Sequence, residues 1–69
     1  MRGTLKQLRM FLGLTQEDMA ERLGIVRQTW ASYEAHPEKL SFEQGWKIAR
    51  AMGVPFSDII FLPDESTIR

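Results

Sequence analysis

Few side chains in this sequence can carry covalent or acid–base chemistry. There is no cysteine and only one histidine, His36. That leaves few candidates for a nucleophile or general base and rules out thiolate zinc sites. His36 precedes Pro37 in a loop with no second ligand nearby, and reads as an ordinary loop histidine. The densest carboxylates, Glu17, Asp18 and Glu21, fall at helical spacing on one face, the pattern of a solvated surface. No glycine-rich phosphate loop is present. What remains is hydrogen-bonding chemistry. Arg27, Gln28 and Ser32 share one side of a short helical stretch, and Arg and Gln are the side chains that bond bidentately to guanine and adenine edges in the major groove. The expectation is a binding protein and not an enzyme, with no cofactor and no metal.

Five short segments position those residues. Leu5, Leu8 and Leu12 recur at helical spacing, with Gly13 and Leu14 placed to close the helix. Thr15 and Asp18 form a capping box for a second helix, whose inward stripe is Met19, Ala20 and Leu23 and whose stop is Gly24. After Ile25 and Val26 a third helix turns Trp30 and Tyr33 one way and Arg27, Gln28, Ala31 and Ser32 the other, until Pro37 ends it. Ser41 and Gln44 box a fourth helix, with Phe42, Ile48, Ala49 and Met52 expected inward and Trp46 at the flank. Pro55 opens a short fifth, with Phe56, Ile59 and Ile60 inward. The spacing predicts an all-α domain with helices at about 4–12, 16–23, 27–35, 42–52 and 56–61, no strands, and a frayed tail over 63–69. Within it, Gln16 to Tyr33 reads as two helices joined by a glycine turn.

The composition bounds the rest. At 69 residues, 43% apolar and 26% charged, the chain is one domain of globular composition. No apolar run approaches the ~18 residues of a membrane span, so a cytoplasmic protein is expected. Net charge is zero, but residues 1–33 carry five basic and three acidic groups while residues 34–69 carry four and six. The positive excess lies in the half that holds Arg27.

The run Leu-x-x-Leu-Arg-x-x-x-Gly-Leu-Thr-Gln-Glu-Asp-Met-Ala-Glu-Arg-Leu-Gly-Ile-x-Arg-Gln-Thr-x-x-x-Tyr-Glu, from Leu5 to Glu34, resembles the phage repressor/Cro-type helix-turn-helix family, also called Xre. The resemblance continues without a gap through Lys47-Ile48-Ala49-Arg50-Ala51-Met52-Gly53-Val54 and covers roughly residues 4 to 62. It implies a compact five-helix, lambda-repressor-like domain that binds operator DNA as a transcriptional regulator, usually as a homodimer, and so sits at the nucleoid. By family pattern Gln16 bonds a phosphate, Arg27, Gln28 and Ser32 face bases, and Thr29 and the loop around Lys39 approach the backbone. The departures are specific. Val26 stands where a Ser or Thr usually caps the third helix, a valine that could touch a thymine methyl. Ala35-His36-Pro37-Glu38 replaces an Asn-Gly-basic stretch and its phosphate contacts. Trp30 replaces Ile or Val, and Gly45 replaces Leu.

Three structural expectations follow. Arg9 and Glu34 should form a buried or half-buried ion pair, as the family's Arg and Glu do. Phe56, Ile59, Ile60, Phe61 and Leu62 should form the dimer interface, because Phe61 and Leu62 exceed what one inward face needs. The Trp30 ring should fill the space left at Gly45. With no room for an effector domain in the sequence, the reading is Cro-like. The alternative is an antirepressor or antitoxin-like interaction module of the same fold, whose partner is a protein such as a repressor or toxin.

Overall fold

Among the described residues, three of the four helices begin at a hydroxyl that closes a reciprocal pair of hydrogen bonds. The computed structural model describes residues 1–62 and contains α1 (Leu5–Phe11), α2 (Gln16–Leu23), α3 (Arg27–Ala35) and α4 (Phe42–Met52), with single 3-10 turns at Pro37–Lys39 and Phe56–Asp58. Thr15 accepts from the Asp18 N–H while Asp18 accepts from the Thr15 N–H, and Ser41 and Gln44 do the same for α4. Thr4 and Gln7 form a third such box, equally legible in Thr-x-x-Gln but not anticipated. The backbone and side-chain hydrogen bonds from Thr15 hold the Asp18 carboxyl below its ordinary pKa. The folded value is the lower one, so this contribution is complete at neutral pH and is lost on acidification through the folded pKa. Alone among the helices, α3 starts without a side-chain cap, because Val26 has nothing to offer the free N–H groups.

The turn between α2 and α3 depends on Gly24. Its φ of 69° lies in the left-handed region, which lets the Gly24 N–H reach Glu21 O at 3.2 Å and the Ile25 N–H reach Ala20 O at 2.9 Å. α1 and α4 close in the same way after Gly13 and Gly53. The core gathers Leu5 and Leu8 from α1, Met19 and Ala20 from α2, Trp30 from α3, Ile48, Ala49 and Met52 from α4, and Ile59.

Several expectations need correction. Leu12 is exposed, and Arg9 takes its inward place on α1. Phe42 opens α4 but is 72% exposed instead of lining the core. The expected fifth α-helix over 56–61 is one 3-10 turn, Phe56–Asp58, followed by extended chain. The β-branched Ile59 and Ile60 leave the turn because the backbone there pairs with the N-terminus: the Gly3 N–H donates to Asp58 O at 2.9 Å and the Ile60 N–H to Gly3 O at 2.8 Å. That parallel bridge is isolated, and no strand occurs among the described residues. The anticipated tail, 63–69, lies outside the described residues. No helix among the described residues is long and apolar enough to cross a membrane.

The Trp30–Gly45 expectation also fails. Trp30 is fully buried, edge-on to Tyr33 at 6.1 Å, but the side-chain atoms nearest to Gly45 are not its own. A Cβ on Gly45 would lie 2.8 Å from Phe61 Cζ and 3.1 Å from Phe56 Cε2. The phenylalanines fill the space that the missing side chain leaves.

Candidate nucleic-acid interface

The α2–turn–α3 unit holds α3 by its inner face and leaves the outer face bare. Trp30 fixes the inner face in the core, with Tyr33 and Ile25 packed against it. On the outer side Val26, Arg27, Gln28 and Ser32 are exposed, and Thr29 is half-buried. Gln28 and Ser32 stand four residues apart, one helical turn, on the same face. Lys39 is exposed on the 3-10 turn beyond α3. His36 is exposed there too, its Nδ1 3.6 Å from Glu38 Oε2. Among the described residues no three His, Asp or Glu side chains are grouped as metal ligands would be.

Beneath this face lies the expected ion pair, in a larger setting than the sequence indicated. Arg9 Nε donates to Glu34 Oε2 at 2.5 Å and Arg9 Nη1 to Leu14 O at 2.8 Å, and the Glu34 side chain is only 6% exposed. Trp30 Nε1 donates to the same Glu34 Oε2 at 2.6 Å. Gln16 Nε2 donates to Glu34 Oε1 at 3.0 Å, and Arg27 Nη1 donates to Gln16 Oε1 at 3.2 Å. Two of the residues assigned to DNA, Gln16 and Arg27, are therefore in contact with each other and tied to the buried carboxylate. The sequence signalled the Arg9–Glu34 pair. It did not signal that Trp30 and Gln16 converge on it, since that depends on how α2 crosses α3.

A second feature was only partly legible. Phe42 and Trp46 stack at 6.2 Å, and Phe56 joins them at 5.0 and 5.8 Å and meets Phe61 at 5.2 Å. Phe42 and Trp46 are exposed, as is Leu62, while Phe56, Ile60 and Phe61 are half-buried. Ile59, placed with the interface by the sequence reading, is a core residue at 5% exposure.

Two short helices crossing at a glycine-closed turn, the second buried on one side and polar on the other, define a helix-turn-helix protein. The chain belongs to the Xre-type helix-turn-helix family, whose pattern matches residues 5–59. It is 42% identical over 65 residues to an uncharacterized HTH-type transcriptional regulator of Methanothermobacter thermautotrophicus, covering 94% of each chain. It is 38% identical to the uncharacterized HTH-type transcriptional regulator MJ0272 of Methanocaldococcus jannaschii, covering 94% of this chain and 98% of that one. With the uncharacterized HTH-type transcriptional regulator YgzD of Bacillus subtilis it shares 32% identity over 96% of this chain and 100% of the relative. No solved structure is a significant match. Membership places the protein among helix-turn-helix transcriptional regulators and implies DNA binding.

Proposed function

We propose that the protein is a sequence-specific, Cro-like regulator that binds operator DNA as a homodimer, with α3 in the major groove. The observation that carries this reading is the outer face of α3, where Val26, Arg27, Gln28 and Ser32 are all exposed beside a helix side fixed by buried Trp30. Arg27 and Gln28 read purine edges, Ser32 adds a third polar contact, and Val26 meets a thymine methyl. Gln16 holds a phosphate at the start of α2, and Thr29 and Lys39 approach the backbone on either side. A neutral chain gains little from phosphate neutralisation, so one domain binds moderately and two half-sites are needed. The second copy docks through Phe56, Ile60, Phe61 and Leu62, extended by Phe42 and Trp46.

The same exposed aromatics, together with zero net charge, support a second reading, an antirepressor or antitoxin-like module that binds a repressor or toxin. Selection of bound sequences from a random duplex pool, followed by a salt titration, separates the two. The regulator enriches a two-fold symmetric site and binds it measurably at low salt, weakening as salt rises, whereas the protein-binding module shows little DNA affinity at any salt. Gln28→Ala should cost about 1–3 kcal/mol per half-site and relax preference at one base pair, while Gln16→Ala weakens all sequences alike. A uniform loss on Gln28→Ala would overturn the base-reading assignment.

A further inference from the structure

We propose that Trp30 and Glu34, which touch no DNA in this reading, are positioning residues. They fix which way the Gln16 amide faces and, through it, where Arg27 rests before a base is met. The inference builds on the assignment of Gln16 and Arg27 to DNA contact, but its physical core can be tested without DNA.

The constraint runs outward from the buried carboxylate. An ionised carboxylate only accepts hydrogen bonds, with about four lone-pair positions on two oxygens. Oε2 of Glu34 is taken by Arg9 Nε and by the Trp30 indole N–H, at 2.5 and 2.6 Å. Oε1 faces Gln16 Nε2 at 3.0 Å, with Arg9 Nη2 at 3.5 Å. A glutamine amide turned the other way would set its own oxygen against Oε1, acceptor against acceptor. The NH2 group is thereby held inward and the carbonyl outward. The outward carbonyl is what receives Arg27 Nη1 at 3.2 Å. One N–H of Gln16 is left for a phosphate, and Arg27 keeps four of its five N–H donors for a guanine edge.

Trp30 matters because it holds Glu34 from a direction Arg9 does not. The indole N–H comes from one turn earlier on the same helix, which restrains the carboxylate relative to the face that carries Arg27. In this view the indole at position 30 does more than fill the core. It is the donor that locks the hub on which the DNA-facing pair is hung.

Side-chain amide NMR on the whole chain tests the proposal first without any substitution. In the wild-type protein one Gln16 Nε2 hydrogen should be shifted downfield by its hydrogen bond and protected from exchange, unlike either hydrogen of exposed Gln28. Gln16 signals with the shifts and fast exchange of those of Gln28 would overturn the proposal. Trp30→Phe keeps an aromatic ring and removes the N–H. It should move the Gln16 signals toward those of Gln28 and reduce discrimination at the base pair read by Arg27 by about threefold to tenfold. In a double-mutant cycle with Arg27→Ala that loss should be non-additive. A folded Trp30→Phe protein with a lower melting temperature but unchanged Gln16 signals and base preference would show a purely structural tryptophan and overturn the proposal. A wild-type protein without DNA affinity at any salt refutes the functional reading, while the Gln16 spectrum still decides the positioning claim.

Discussion

Glu34 receives four N–H groups, two from Arg9 and one each from Gln16 and Trp30, which saturates its two oxygens. Arg9 in turn gives Leu14 O a bond that ties the end of α1 to the start of the next segment. Such a pair adds little net stability over an apolar substitute, because both charges are desolvated. Removing one member is a different matter. Glu34→Ala strands the Arg9 guanidinium, which is 11% exposed, and leaves the fully buried indole N–H without its acceptor. The expected cost is about 3–5 kcal/mol, a large share of the roughly 5–15 kcal/mol total of an ordinary domain. Thermal unfolding followed by circular dichroism measures it, and an unchanged melting temperature would mean the carboxylate is not the hub of these bonds.

At the scale of elements, the sequence exposed what is local and hid what is not. The boxes at Thr15–Asp18 and Ser41–Gln44, the stops at Gly13, Gly24 and Gly53, and the bounds of α2, α3 and α4 rest on contacts within a few residues, so spacing sufficed to find them. Leu12 misled because periodicity counts it on the α1 stripe, although the helix has ended at Phe11 and the chain is already leaving the core. Phe42 misled for the opposite reason. At the first position of α4 it lies at the margin of the buried stripe, on the exposed aromatic stack. The missing fifth helix reflects a distant partner, since only the fold brings Gly3 beside Ile59. Gly45 was recognised as a vacancy, but what fills it arrives from Phe56 and Phe61. Gly45→Leu should therefore destabilise by about 1–3 kcal/mol despite its better helix propensity, because the rings must be displaced. Phe61→Ala should relieve that cost, whereas Trp30→Phe should add to it independently. A denaturant double-mutant cycle that coupled Gly45 to Trp30 instead would contradict the packing seen here.

The whole molecule presents two unlike surfaces, the polar outer face of α3 and the aromatic stack of Phe42, Trp46 and Phe56 continued by Phe61 and Leu62. On the proposed function, a neutral domain that reads bases through α3 has little electrostatic affinity to add, so doubling the contact is the available route to tight binding. A two-fold pair achieves it by setting two recognition helices ~34 Å apart, one turn of DNA. A stable pair buries about 800 Å² on each partner, roughly a sixth of the 4849 Å² surface of this chain. The exposed aromatics supply the kind of anchors such interfaces use. Phe61 is a poor choice for testing this, because its ring also packs on Gly45. Trp46 and Leu62, 49% and 68% exposed, can be changed with less harm to the fold. The proposed pair predicts that the parent sediments as a dimer and the Trp46→Glu, Leu62→Glu protein as a monomer, with the melting of the single domain little altered. Diluting the parent should red-shift its tryptophan emission as Trp46 returns to water, since Trp30 is buried in either state. A sedimentation coefficient unchanged by the double substitution would place the interface elsewhere.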